Sequence, residues 1–510
     1  MARKYPVGLQ DFSEIRTGGY VYVDKTAYVH KLVDEGKYYF LSRPRRFGKS
    51  LFVSTMDYLF KGRQELFEGL YISDKWDWTK KNPIIKISFA AISHKEKGLY
   101  NAIDDQLDKI GTKYNITFNE TTISAKFQEL IEKLSLQSGK VVVLIDEYDK
   151  PIIDYLGTDE AGMVVAKANR DTLKSFYSIL KDADPFLKLV FITGVSKFSK
   201  VSVFSDLNNL KDLTLNPDFS GICGVTQSEL ERCFEQELAD YDEKKIKKWY
   251  NGYNWRGSES VYNPFSLLNY FASPSSDFIN YWFASGTPTF LVNLSKQYQQ
   301  YDFECVEIAP SQLDAYDLEQ LQLIPLMFQT GYLTIKNYDT ETGIYQLGYP
   351  NEEVRKSYIE FLANAYTNSK VDSVLILANQ MSRALNIADF DKVQSIINSI
   401  FKSIPYQIWQ NENEHYYHAL VHLTFRLLGI YSESEVQSAD GRLDALVQLQ
   451  NYVYCFEFKL DGSAELALQQ IKDKGYLQPF LQQNKTCIGI GLNFSTITKK
   501  VEKLIWEEIK

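Results

Sequence analysis

A chain of 510 residues is too long for one hydrophobic core, so two or three domains are expected. Its hydrophobic content of 45% and charged content of 24% are those of an ordinary globular protein. The net charge of −9 argues against a surface coated for nucleic acid, though a local basic groove remains compatible with it.

Five scattered cysteines (Cys223, Cys233, Cys305, Cys455, Cys487) show no C-x-x-C pairing. They point to reduced thiols in a cytoplasmic protein, with neither a disulfide framework nor a zinc cluster. The start, Met1-Ala2-Arg3-Lys4, is not apolar, and no run of eighteen apolar residues occurs, so no signal segment and no membrane span are expected.

In chain order, Tyr20-Val21-Tyr22-Val23 has strand character, and Asp24 is placed to cap a following helix. Tyr38-Tyr39-Phe40-Leu41 is a second apolar strand. It leads into Arg43-Pro44-Arg45-Arg46-Phe47-Gly48-Lys49-Ser50, then a helical pattern to Phe60 with Gly62 behind it. Gly48-Lys49-Ser50 fills the second half of the template G-x-x-x-x-G-K-[ST]; Arg43 stands where the template has its first glycine. In such a loop the backbone N–H groups wrap phosphates, Lys49 reaches the β/γ oxygens and Ser50 ligates Mg²⁺. Arg45 and Arg46 add candidate phosphate contacts beside Phe47. A solvated basic turn is the plain alternative.

Ile84–Phe89 is a further strand, and residues 97–137 have helical patterning broken near Gly111 and Asn115. Val141–Ile145 is a continuous β-branched run, expected of a strand buried on both faces, and ends in Asp146-Glu147. Asp146 is placed to hold the Mg²⁺ shell and Glu147 to polarise an attacking water. Arg170–Leu180 reads as a helix. Leu187–Gly194 reads as another buried strand, with Thr193 or Ser196 as a γ-phosphate sensor or a simple loop hydroxyl. Strands alternating with helices predict an α/β domain with a mainly parallel sheet, whose ligand sits at the carboxyl ends of the strands.

Residues 215–300 look helical, with Thr226-Gln227-Ser228-Glu229 as a capping box. Trp249–Tyr253 and Val261–Pro264 read as aromatic turns locked by Gly252 and Pro264. Residues 300–400 look helical and connect to the last part of the chain. There Gly441–Val447 and Tyr452–Leu460 read as paired strands and Ala464–Lys474 as a helix. Alternation sets Glu457 and Lys459 on one face and Phe456 and Phe458 on the other. With Asp444 this makes D…E-x-K: two carboxylates for Mg²⁺ and a lysine to steady the attacking water. An edge-strand salt bridge is the plain alternative. His415, His418 and His422 have spacing compatible with a transition-metal site, though a packing helix is favoured.

R-P-R-R-F-G-K-S at 43–50 and L-I-D-E-Y-D-K-P at 144–151 resemble the AAA-ATPase-like family of bacteria and archaea. G-R-L-D, E-F-K and the helix after them resemble the PD-(D/E)XK nuclease superfamily at Asp444, Glu457 and Lys459, with Gln470 accessory and Glu435 a further acidic candidate. The resemblance implies three parts: a P-loop domain over 1–215, a helical lid or connector over 216–400, and a C-terminal restriction-endonuclease-like α/β domain over 401–510. It implies ATP and Mg²⁺ as cofactors and DNA or RNA as a partner; self-association is left open. The alternatives are a non-enzymatic nucleotide switch with an inactive nuclease-fold module, and a small-molecule kinase.

Overall fold

The computed structural model describes residues 3–510 except 157–159, 198–202, 205–206, 274–276, 284–288, 299, 301–302, 314–321, 368–371, 403–434 and 440–442. The chain separates into two compact units: Met1–Leu291 with Asp302–Val354, and Val292–Tyr301 with Arg355–Lys510.

The first unit is built on a parallel sheet of β1 (Tyr38–Ser42), β2 (Ile84–Ser88), β3 (Val141–Asp146), β4 (Leu187–Gly194) and β5 (Lys211–Asp212), in spatial order β2-β3-β4-β1-β5. Every residue of β1 and β3 is buried, and β4 is buried except at Lys188. Helix α1 (Thr26–Glu35) precedes β1, and helices α2 (Lys49–Phe60), α3 (Leu99–Lys113), α4 (Ile123–Ser138) and α5 (Glu160–Ser178) lie between the strands in sequence. This is the condition under which a strand with no polar face is stable. The chain leaves central β1 for outlying β2, returns through β3 and β4, and crosses to β5 on the far side. The carboxyl ends of β1, β3 and β4 therefore border one crevice.

Two local expectations need correction and one, the helix break near Gly111 and Asn115, is placed more closely. Tyr20–Val23 forms no strand; only a bridge joins Lys4 and Tyr20, because no further backbone pairs with the segment. Asp24 accepts the Thr26 N–H at 2.8 Å ahead of α1, whose N-cap position is Lys25. Gly111 does not break its helix; it lies within α3, where a Cβ would come 2.6 Å from the Phe118 ring, and the interruption falls after Lys113. Residues 300–400 are not helical throughout. An antiparallel sheet of β6 (Val306–Ile308), β7 (Thr334–Tyr338) and β8 (Tyr345–Gly348) occupies part of them, with a tight Asp339–Gly343 turn that the Asp and Gly of that stretch already signal.

Three helices complete the parts used below. α6 (Gln227–Cys233) begins with the expected capping box of Thr226 and Glu229. α7 (Pro264–Ala272) starts at Asn263, whose side chain accepts the Phe265 and Ser266 N–H groups. α8 (Leu323–Thr330) ends at Gly331, whose φ of 91° is left-handed. Among the described residues no helix is long and apolar enough to cross a membrane.

Helix α9 (Glu352–Thr367) carries the chain from the first unit into the second. The second unit holds a mixed sheet of β9 (Glu435–Ala439), β10 (Leu443–Gln448), β11 (Tyr452–Leu460), β12 (Thr486–Ser495) and β13 (Lys500–Glu508), ordered β13-β12-β11-β10-β9. Helix α10 (Ala464–Lys474) is the crossover between β11 and β12, the parallel pair; the other pairs are antiparallel. The histidine segment around His415, His418 and His422, together with Gly441 and Arg442, lies outside the described residues.

Helix α10 lies directly on the backbone of β12. A Cβ at Gly491 would stand 2.2 Å from the Ala464 carbonyl oxygen and 2.7 Å from the Leu468 nitrogen. Gly491→Ala is therefore expected to cost about 1–3 kcal/mol by overpacking. Urea unfolding followed by circular dichroism checks this, and an unchanged midpoint would refute the close approach.

Candidate functional site

The loop after β1 is held by its side chains turning inward. Phe47 is buried, with its ring 4.7 Å from Tyr253 and 5.4 Å from Trp255. Arg43 is fully buried and donates to the Ser42, Thr214 and Phe219 carbonyls at 2.8, 3.0 and 3.1 Å. Its guanidinium lies 4.2 Å from the Trp255 ring centre. Burial lowers its pKa to about 10, and it is still a cation at neutral pH. Arg43 is thus a foundation of the loop and does not project toward phosphate. The turns at 249–253 and 261–264, read from sequence as aromatic packing, supply part of that foundation.

At the head of α2, Gly48 has φ 90° and its missing Cβ opens onto free space. Lys49 is buried and donates to the Arg43 and Pro44 carbonyls at 2.9 Å each. Desolvation lowers its pKa, opposed by the carboxylates of Asp146, Asp149 and Glu147. Those carboxylates come from the end of β3 and the turn after it, so the loop and the acidic strand end face one another. Arg45 and Arg46 are exposed and Ser50 is half-buried. Arg46 takes a left-handed φ of 68° and its guanidinium lies 4.9 Å from the Phe265 ring centre.

The ends of β3 and β4 are stitched together. Thr193 Oγ1 donates to Asp146 Oδ1 at 3.0 Å. The Tyr148 N–H donates to the Thr193 carbonyl at 3.0 Å, and the Tyr148 hydroxyl to the Ser196 carbonyl at 3.0 Å. Asp149 Oδ2 accepts the N–H groups of Val195 at 2.9 Å and Ser196 at 2.6 Å. Of the two sensor candidates, Thr193 is the one whose hydroxyl meets Asp146; Ser196 contributes backbone. Glu147 is half-buried with φ 53°, a conformation rare outside glycine that concentrates at functional sites. Asp149 was not singled out from sequence. Its signal was there: the second aspartate of D-E-Y-D follows a buried strand.

A cleft of about 370 Å³ is lined by Arg45, Arg46, Lys49, Ser50, Glu147 and Asp149 among others. An apolar slot of about 90 Å³ adjoins it past Gly48 and Leu51, walled by Tyr22, Phe47, Phe52 and Cys223 among others. Lys25 also borders it, tied to Glu229 at 2.6 and 2.7 Å and to the Gly221 carbonyl at 2.7 Å. The donor set suits a hard cation and phosphate: hydroxyl and carboxylate oxygens, cationic side chains and a loop that opens at a helix N-terminus.

In the second unit Glu457 is buried on β11. Lys459 Nζ donates to Glu457 Oε1 at 3.3 Å and to Gln470 Oε1 at 2.5 Å, and Gln470 Nε2 donates to Glu457 Oε1. The expected face is thus observed for Glu457 and Lys459, with Phe456 buried behind them. Ala445 pairs with Phe456 at the observed limit of the β10–β11 register, and Asp444 and Glu457 are the residues next beyond that pair on their strands. The side chains of Asp444 and Glu435 lie outside the described residues. Among the described residues no group of three His, Cys, Asp or Glu side chains is arranged for a metal.

Fold and site together define a P-loop α/β unit joined to a nuclease-like α/β unit. The sequence profile of a predicted AAA-ATPase family matches residues 6–204, and that of the PD-(D/E)XK nuclease superfamily matches residues 412–504. The chain belongs to the AAA-ATPase-like family and carries a C-terminal domain of the PD-(D/E)XK nuclease superfamily. It is 39% identical, over 99% of both chains, to a protein of Azotobacter chroococcum mcd 1 described as "Uncharacterized protein in vnfD 5'region". No solved structure matches it.

Burial raises the Asp149 pKa from 3.8 to about 6, against the Ser196 N–H, Lys49 and the Val195 N–H, which lower it. The folded state then holds this proton more tightly than the unfolded chain. Its contribution to stability falls as pH rises from about 4 to about 6, and is least favourable above that. Asn keeps an oxygen for both N–H donors and carries no charge. Asp149→Asn is expected to gain up to about 3 kcal/mol over wild type between pH 4 and pH 7. Unfolding at both pH values measures this; a pH-independent difference would contradict it.

Proposed function

We propose that the protein binds and hydrolyses ATP in the first-unit cleft, and that the second unit carries a metal-dependent phosphodiesterase site for DNA or RNA. The observation that supports the first half is the meeting of three separate segments, through Lys49, Glu147 and Val195, at one cleft, with Thr193 bonded to Asp146 at the adjoining strand ends. The loop N–H groups from Arg45 to Gly48 cradle the phosphates, Lys49 takes the β/γ oxygens, and Arg45 and Arg46 add contacts at the rim. Ser50 and Asp146 hold Mg²⁺, which neutralises phosphate charge when bound. Glu147 orients the attacking water and accepts its proton as the γ-phosphoryl leaves ADP. Thr193 fixes the Asp146 carboxylate. The base lies in the apolar slot beside Tyr22. Glu147 next to Asp146 favours water as acceptor over a small-molecule hydroxyl.

In the second unit Asp444 and Glu457 hold the divalent cation and Lys459 steadies the attacking water, with Gln470 orienting both Lys459 and Glu457. In this division of labour 1–215 is the ATPase, 216–400 the lid and connector, and 401–510 the nuclease-like domain, working in the bacterial cytoplasm. A second reading, an inactive nuclease fold serving as a nucleotide-switched binding module, draws support from the Lys459–Glu457–Gln470 triangle, where the charges already satisfy one another.

Lys49→Ala is expected to weaken ATP binding by at least about a hundredfold, read by calorimetry. Glu147→Gln is expected to keep binding and lose about a hundredfold in hydrolysis. Unchanged affinity in the first variant would remove the loop assignment. For the second unit, plasmid and single-stranded DNA with Mg²⁺ or Mn²⁺ are expected to be cut by wild type and spared by Lys459→Ala. Equal cutting refutes the assignment, and no cutting by either selects the binding-module reading.

A further inference from the structure

Two pieces of the nucleotide site are gripped from outside the parallel-sheet core. The Trp282 indole N–H donates to the Arg45 carbonyl at 3.0 Å. The backbone N–H of Lys197, next to the stitched Ser196, donates to Gln329 Oε1 at 3.0 Å. Gln329 lies in the last turn of α8, and Gly331 follows. The two grips adjoin there. A Cβ at Gly331 would stand 2.7 Å from the Pro44 ring and 3.5 Å from the Trp282 indole. The Trp282 and Tyr332 rings lie 5.2 Å apart.

Trp282 also reaches the root of α9. Its backbone N–H donates to Glu353 Oε1 at 2.8 Å, and Ser266 donates to the same carboxylate at 2.7 and 3.0 Å. Glu353 is fully buried, in the first turn of the helix by which the chain leaves the first unit.

Lys49 supplies the differential contact that a switch requires. Its ammonium donates to the carbonyls of Arg43 and Pro44, and the very next carbonyl, that of Arg45, is the one Trp282 holds. A triphosphate draws the ammonium to its own oxygens and releases the first two carbonyls, so the loop repositions against Trp282.

We propose that Trp282 and Gln329 are positioning residues that read the nucleotide state: they register the phosphate loop against the Ser196–Lys197 turn and pass its displacement through Glu353 to α9. This rests on the ATP reading above and names the regulation of that site. Neither residue touches the reacting atoms. Their loss therefore acts on turnover more than on binding, because a small misplacement of the loop against the water-orienting turn slows the chemical step.

The test uses the full-length protein with Mg²⁺ and AMP-PNP for binding and with ATP for turnover. Trp282→Phe keeps an aromatic ring but removes the indole N–H together with one ring of the bicycle, Gln329→Leu removes the acceptor, and Gln329→Glu retains one. The first two are expected to bind AMP-PNP within about threefold of wild type while kcat falls about tenfold. The double variant is expected to fall no further than the worse single, and Gln329→Glu to recover kcat to within about twofold. In hydrogen exchange, AMP-PNP alters peptides covering 352–367 in wild type and not in Trp282→Phe. Wild-type kcat in both variants, multiplied losses in the double, or an α9 response that survives Trp282→Phe would each overturn the proposal. If Trp282→Phe does not fold, the Gln329 pair decides by the same kcat and rescue criteria. Absence of AMP-PNP binding by wild type would instead fell the ATP reading and this inference with it.

Discussion

The seam between the ends of β3 and β4 is the constraint on which the first unit's chemistry rests. Five hydrogen bonds cross it, from Thr193 to Asp146, twice through Tyr148 and twice into Asp149. Each adds only about 1 kcal/mol net, but a buried N–H left without an acceptor costs about 1–3 kcal/mol. The seam is therefore kept by the expense of opening it. Gly194 makes it geometrically possible: a Cβ there would stand 2.6 Å from the Tyr148 ring and 2.7 Å from Asp149 Oδ1. With the seam closed, Asp146 and Glu147 have fixed positions opposite the head of α2, which a carboxylate pair needs if one member is to hold a cation and the other a water.

The loop facing the seam shows why a template position can change without loss. The first glycine of the P-loop pattern is Arg43, and Arg43 is absent from the left-handed residues. No glycine is required at that position. Gly48, at φ 90°, is where the backbone demands one. Arg43 instead uses its side chain. A buried guanidinium without a carboxylate is costly, and here three carbonyls and an indole face offset that cost. Thr214, Phe219 and Trp255 all lie beyond residues 6–204, the span the ATPase profile matches. The loop's foundation thus belongs to the segment behind the sheet, which ties that segment to the site from below as Trp282 ties it from above.

Much of this arrangement is legible in the linear chain because the strongest signals are local. The β-branched run at 141–145, the G-K-S triplet, the capping box at Thr226 and the strand-helix succession at 452–474 all have short-range physical causes. The misses have long-range ones. Tyr20–Val23 has β-propensity but no partner strand, and propensity alone does not make a sheet. Gly111 looks like a breaker until the Phe118 ring that needs its empty side is in place. Asp149 reads as an ordinary turn residue because its partners, Val195 and Ser196, come from another strand. Arg43 reads only as a departure from the glycine of the template, because nothing in R-P-R-R tells which arginine turns inward. The β6–β8 sheet was hidden by apolar helices on either side, though the Asp339–Gly343 turn marked it.

A common logic joins the two sites. Lys49 is bonded to two loop carbonyls, and Lys459 to Glu457 and Gln470. In both places the lysine arrives at its ligand already satisfied. Binding is then an exchange of partners, and affinity is the difference between two sets of bonds. For Lys49 the exchange favours the ligand, because a carbonyl is a weaker partner for an ammonium than a phosphate oxygen. For Lys459 the partner is itself a carboxylate, and a divalent cation taken up by Glu457 must displace or share it. The two lysines thus differ in what holds them: neutral backbone carbonyls at Lys49, a carboxylate and a side-chain amide at Lys459.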